Sequence, residues 1–231
     1  MKRFFGYAGV LMLFFTLSCM FRQKKRNIIF FGDSITKNGT ERDGFITMLR
    51  QMLDSNQLPG AYKLVASGIN GNKIKDLYTR MDNDVLAKNP SIVIIWIGVN
   101  DVWHKLSGNG TSADQFANIY SDVIKRLQAQ NIKVMLVTPS VIGEKKNGVN
   151  PQDNDLDLYA NIIHKLSDQY KCKLIDMRKA FAEYENENNP DNNNSGILTV
   201  DGVHLSKKGN ALAAEKIMQV LAPVLKSTIS D

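Results

Sequence analysis

Short apolar runs alternate along this chain with longer stretches whose apolar residues recur every three or four positions, and that alternation constrains the fold more than any other feature. Asn27 to Phe31, Tyr62 to Ala66, Ile92 to Ile97, Ile132 to Thr138 and Lys173 to Asp176 are short and mostly branched or aliphatic, so they read as strands. Near-continuous apolar runs suit a parallel sheet covered on both faces. Between them Phe45 to Asp54, Ile74 to Ala87, Ser112 to Ala129 and Leu156 to Tyr170 carry helical spacing. In the third, Phe116, Ile119, Tyr120, Val123, Ile124 and Leu127 form one stripe. Ser206 to Leu225 supplies a closing helix, with Ser206 as its N-cap and Leu212, Ile217, Val220 and Leu221 turned inward. The pattern predicts a three-layer α/β/α sandwich with right-handed crossovers. Chemistry in such a fold gathers beyond the carboxyl ends of the strands.

Charge separates the chain into two parts. Lys and Arg number 29 against 23 Asp and Glu, a net +6, within 231 residues of ordinary globular composition. Lys2, Arg3, Arg22, Lys24, Lys25 and Arg26 account for that excess, since residues 1–26 hold no acid and the remainder balances at 23 against 23. A neutral body lacks the electrostatic footprint of a nucleic-acid binder, so no nucleic-acid partner is expected. Lys2 and Arg3 precede an uncharged run from Phe4 to Phe21, the n-region and h-region of an export signal. Thr16-Leu17-Ser18-Cys19 resembles a bacterial lipobox, which implies that Cys19 becomes the lipidated first residue of the mature protein. An ordinary cleaved signal and a retained membrane anchor remain the alternatives. The expected organisation is a signal and lipobox region over 1–19, a basic tether over 20–26 near anionic headgroups, and a single folded domain over 27–231. The protein is accordingly expected in the cell envelope, held to a membrane by its N-terminus. Cys172, the other cysteine, reads as a buried thiol at a strand start.

Four polar clusters follow the strands or precede the last helix: Gly32-Asp33-Ser34-Ile35, Ser67-Gly68-Ile69-Asn70-Gly71-Asn72, Gly98-Val99-Asn100-Asp101 and Asp201-Gly202-Val203-His204. Taken singly, each is also an ordinary turn or helix cap. Together and in this order they resemble the motif blocks of the SGNH, or GDSL, family of serine esterases and lipases, over Ile28 to Leu225. That resemblance implies a flavodoxin-like five-stranded parallel sheet of order 2-1-3-4-5. It also implies Ser34 as nucleophile, Asp201 and His204 as the rest of a triad, and an oxyanion hole from Ser34, Gly71 and Asn100. No metal or cofactor is implied. The Gly-x-Ser-x-Gly elbow of α/β-hydrolases is absent around Ser34.

The chemistry needs these residue types. A serine hydroxyl is a weak nucleophile until a base within hydrogen-bond reach takes its proton. The three-residue step from Asp201 to His204 lets one turn of chain hold one ring nitrogen on a carboxylate while the other faces Ser34. His104, in the loop beyond Asn100, is close enough to touch a substrate but reads as a bystander, and His164 reads as a helix-surface residue. Asp153-Asn154-Asp155-Leu156-Asp157 is not a calcium loop, because Leu158 stands at the required glycine and His164 at the final glutamate. The Asn- and Glu-rich stretch Glu185 to Ser195 reads as a mobile loop.

The expected function is a serine esterase acting through an acyl-enzyme on a small-molecule, glycan or lipid ester. The absence of a long apolar insertion favours O-deacetylation of carbohydrates. The alternatives are a lysophospholipase or lipase acting on acyl lipids, and a non-catalytic surface glycan-binding protein.

Overall fold

The computed structural model describes residues 26–55 and 62–227; the leader over 1–19, its Cys19 and the tether as far as residue 25 lie outside the described residues. Strands β1 (Arg26–Gly32), β2 (Tyr62–Gly68), β3 (Pro90–Trp96), β4 (Lys133–Val137) and β5 (Lys173–Ile175) form one sheet, parallel throughout, in the order β2-β1-β3-β4-β5. This is the order that the motif blocks implied. Among the described residues the α-helices are α1 (Ser34–Asn38), α2 (Phe45–Ser55), α3 (Ile74–Asp84), α4 (Val99–Trp103), α5 (Ala113–Gln128), α6 (Asp153–Tyr170), α7 (Met177–Asn188) and α8 (Lys207–Ser227).

Side chains alternate across a strand, and this alternation builds two cores. Ile28, Phe30, Ile92, Ile94, Trp96, Met135 and Val137 face α2, α7 and α8, whereas Ile29, Phe31, Val93, Ile95, Val134 and Leu136 face α3, α5 and α6. Burial on both faces explains why the strands read as unbroken apolar runs. Full burial of one such side chain stabilises by about 1.5 to 3 kcal/mol. The α5 stripe is buried as expected, with Ile119 at its half-buried edge.

Several elements depart from expectation. α1 and α4 are five residues each, too short for a period of 3.6 to register. α7 occupies the first part of the stretch read as a mobile loop. Its apolar face is narrow, Met177, Ala180 and Phe181, and Asp176 caps it by accepting the amide of Lys179 at 3.1 Å. Beyond α7, Asn189 is buried, accepting the amide of Asn193 at 2.8 Å, so hydrogen bonds hold the rest of that stretch. Ser206 does cap α8, accepting the amide of Gly209 at 3.2 Å. The buried face of α8 runs through Ala213, Ala214, Ile217 and Leu221, with Leu212 and Val220 at its flanks. Two alanines let the helix approach the sheet more closely than leucine and valine would.

From β1 the chain crosses one way to β2 and then back past β1 to β3. The crevice at this reversal opens at the carboxyl ends of β1 and β3, which lead directly to Ser34 and Asn100.

Candidate active site

β1 ends at Gly32, where a Cβ would lie 2.3 Å from both Oγ1 of Thr36 and the carbonyl oxygen of Trp96. Only glycine fits so close an approach. Asp33 then caps α1, its Oδ1 accepting the amide of Ile35 at 2.9 Å, and Ser34 is the first helical residue.

The Oγ of Ser34 lies 3.0 Å from Nε2 of His204, and Nδ1 of His204 lies 2.7 Å from Oδ2 of Asp201. Asp201 Oδ1 accepts the amides of Val203 at 3.0 Å and His204 at 2.8 Å. One carboxylate therefore shapes the turn with one oxygen and orients the ring with the other. Burial raises the Asp201 carboxyl, but the hydrogen bonds from the His204 ring and the two amides outweigh it and hold the group below its ordinary value. A charged Asp201 fixes the proton on Nδ1 and leaves Nε2 free to accept from Ser34.

Gly71 turns the loop after β2 with φ of +72°, a conformation that favours glycine. Ile69 donates its amide to the carbonyl of Gly32 at 3.3 Å, which ties that loop to the end of β1. Asn100 donates Nδ2 to the carbonyl of Asn72 at 3.1 Å, which ties it to the end of β3 and leaves one side-chain N–H over. Among the described residues no acceptor takes the amide of Ser34 or Gly71. The amides of Ser34 and Gly71 and one side-chain N–H of Asn100 are thus left without a protein acceptor among the described residues.

Arg80 of α3 was not singled out from the sequence, yet it joins both loops. Its guanidinium donates to the carbonyls of Gly32 at 2.8 Å and Ser67 at 3.0 Å, to Oδ1 of Asn72 at 2.7 Å, and to Oδ2 of Asp84 at 2.6 Å. Its one visible signal was the Arg80–Asp84 spacing, which reads as a solvated helix pair. Two buried carboxyls stand behind the site. Burial pushes Asp33 up to about 7, against the pull of the Ile35 amide, and pushes Asp101 up to about 6. Both oxygens of Asp101 meet the amide of Ile74 at 3.2 Å, which anchors the start of α3.

The His104 ring borders Gly71, with Cε1 3.9 Å from the place of a Cβ on that residue. Burial and then the charge of Lys73 lower its pKa. His164 instead pairs with Asp176 at 2.8 Å. Burial raises the Cys172 thiol to about 11, which keeps it protonated. Asp153 and Asp157 pair with Arg178 at 2.8 and 2.7 Å, and among the described residues no group of three or more His, Cys, Asp or Glu is placed to hold a metal. A cleft of about 280 Å³ beside Asp201 is lined by Trp103, Leu106, Ile142, Pro151, Gln152 and Asn194. A larger cleft of about 530 Å³ lies between α6 and α7 and includes no member of the Ser34–His204–Asp201 chain.

Comparison with known proteins agrees with this geometry. A family model, the GDSL-like lipase/acylhydrolase family, matches residues 30–212. The crystal structure of an acetyl xylan esterase, AlAXEase, is 52% identical, with a TM-score of 0.82 over 84% of this chain and 98% of that one. An acetylxylan esterase of Geobacillus stearothermophilus is 24% identical over 208 residues, 83% of this chain and 92% of that protein. The crystal structure of Axe2, an acetylxylan esterase from the same organism, shares the fold at 24% identity, with a TM-score of 0.74 over 86% and 95% of the two chains.

Proposed function

Because this chain belongs to the GDSL-like lipase/acylhydrolase family and is a carboxylic ester hydrolase, we propose that it removes O-acetyl groups from carbohydrate through a Ser34–His204–Asp201 triad. The observation that carries the substrate class is the 52% identity to an acetyl xylan esterase across 84% of the chain. Ser34 Oγ attacks the acetyl carbonyl carbon while His204 Nε2 takes its proton. The carbonyl oxygen becomes an oxyanion, which the Ser34 and Gly71 amides and the Asn100 side chain stabilise. As the intermediate collapses, His204 returns the proton to the departing sugar oxygen and acetyl-Ser34 remains. Water then attacks that ester, His204 again takes a proton, and acetate leaves as Ser34 is regenerated. Asp201 holds the tautomer and stabilises the imidazolium in both halves.

The cleft beside Asp201 supports a sugar on the alcohol side. It offers Trp103, which is 37% exposed, as an apolar face and Gln152 and Asn194 as polar groups. The test is acetate release from acetylated xylan, with p-nitrophenyl esters of two to about sixteen carbons in parallel, by the parent protein and Ser34→Ala. Ser34-dependent acetate release with a preference for two carbons is the expected result. A Ser34-dependent maximum at long chains would make acyl lipids the substrate. Glycan binding without Ser34-dependent turnover would leave a binding protein.

We further propose that the leader exports the protein and that lipid on Cys19 anchors it in the envelope, a reading supported by the sequence of residues 1–26. Mass analysis of the mature N-terminus tests it, with Cys19→Ser expected to leave the membrane fraction. No helix among the described residues is long and apolar enough to cross a membrane.

A further inference from the structure

Glu144 lies in the loop between β4 and α6 and is fully buried. Its Oε2 accepts the amide of Ile197 at 2.8 Å, while Oε1 accepts the amides of Leu198 at 2.6 Å and Thr199. Three consecutive backbone donors therefore converge on one carboxylate, and only a side chain with acceptors on both oxygens satisfies them all. The Glu144 backbone adds to the grip, its amide donating to the carbonyl of Asn194 at 3.0 Å and its carbonyl accepting from Nδ2 of Asn189 at 2.7 Å. The neighbouring Gly143 donates its amide to the carbonyl of Gly202 at 2.8 Å.

Ile197 to Thr199 form the base of the loop that presents Asp201 and His204. Thr199 pairs antiparallel with Leu205, closing that loop, and Oγ1 of Thr199 accepts the amide of Gly202 at 3.0 Å. The carbonyls of the base are held from α8, since Ser206 donates Oγ to Ile197 at 2.9 Å and its amide to Leu198 at 2.8 Å. Glu144 thus holds the three donors of the base and Ser206 two of its acceptors.

We propose that Glu144 is a positioning residue for catalysis, its carboxylate setting the height and tilt of the base so that His204 Nε2 meets Ser34 Oγ. The inference rests on the proposed roles of Ser34, His204 and Asp201. A glutamine at 144 keeps the shape, but its amide nitrogen must face a backbone N–H, so the base shifts. A displacement of about 1 Å at a reacting centre costs on the order of 100-fold in rate.

The experiment measures kcat and KM for Glu144→Gln, Glu144→Asp, Ser34→Ala, His204→Ala and Leu225→Ala on one acetyl ester, at a temperature where thermal melts show each protein folded. Leu225→Ala opens a cavity in the core near the end of α8 and controls for lost stability. Glu144→Gln is expected to lose kcat by about 10- to 100-fold with KM within about twofold. Glu144→Asp, which keeps both acceptor oxygens, is expected to recover part of that loss. Leu225→Ala is expected to keep the parent kcat. A folded Glu144→Gln with kcat within about twofold of the parent overturns the proposal, as does a loss equal to that of Leu225→Ala. Failure of both Glu144 variants to fold also overturns it, by making Glu144 a residue of the fold alone. If Ser34→Ala and His204→Ala retain turnover, the triad assignment fails instead; if they lose it while Glu144→Gln does not, only the positioning role fails.

Discussion

The side-chain amide of Asn100 is bonded to the carbonyl of Asn72 at 3.1 Å, so the exit of β3 and the loop carrying Gly71 are fastened together through one N–H of that amide. Anchoring one N–H of a primary amide fixes the direction of the other. In the proposed oxyanion role the remaining donor is therefore held in one direction before any substrate arrives, which is what makes such a group effective against developing charge.

Replacing Asn100 with alanine removes both the donor and its anchor. Turnover is expected to fall by about 100- to 1,000-fold on acetyl esters, with KM changing far less. Steady-state kinetics check this, and retention of more than half the parent kcat would remove Asn100 from the oxyanion site.

Asp201→Asn tests the orientation of the ring. An asparagine amide can donate to Nδ1 and leave the proton on Nε2, the wrong tautomer for accepting from Ser34. By analogy with the same change in other triads, kcat is expected to drop by up to about 10⁴-fold with the fold intact. Kinetics alongside a thermal melt separate lost tautomer control from lost structure.

Arg80→Lys retains the charge but not the fork that reaches Gly32, Ser67 and Asn72 together. The variant is expected to lose about 2 to 4 kcal/mol of stability, because buried carbonyls are left without donors. It is also expected to lose about tenfold in kcat, since the nucleophile turn and the Gly71 loop share this brace. Denaturant melts and kinetics read the two effects, and a loss of stability alone would confine Arg80 to scaffolding.

Glu185 gives the stability of the protein a pH dependence. Burial, and then the charge of Glu144, pushes its carboxyl up to about 8, with Arg178 opposing and Asp153 adding to the rise. A raised carboxyl pKa means that the folded state holds its proton more tightly than the unfolded chain. The stabilisation is therefore full below the unfolded value of about 4.3 and is lost as pH rises through about 8. Glu185→Gln imitates the neutral acid and removes this dependence. Between pH 5 and pH 9 the Tm of the parent is expected to fall further than that of the variant, which matches or exceeds it at pH 9. Parallel Tm curves would show that Glu185 carries no proton in the folded protein.

The elements of the sheet were legible in the sequence because burial on two faces leaves unbroken apolar runs, as in Ile92 to Ile97. The stripe of α5 was legible because one buried face repeats every 3.6 residues. Ser34, Asp201 and His204 could be selected because hydroxyl, carboxylate and imidazole are the side chains that acyl transfer requires and the motif blocks placed them at a strand end and just before the last helix. α7 was not legible, since three apolar residues among many polar ones do not outweigh a solvated reading. Arg80 and Glu144 were hidden for a different reason: the groups through which they brace the site include backbone carbonyls and amides. A backbone amide or carbonyl is the same whatever residue carries it, so nothing in Ile197-Leu198-Thr199 reveals that three of its donors need an acceptor. The carboxylate that meets them begins 53 residues away along the chain, and only the packing of the loop after β4 against the base of the histidine loop brings the two together.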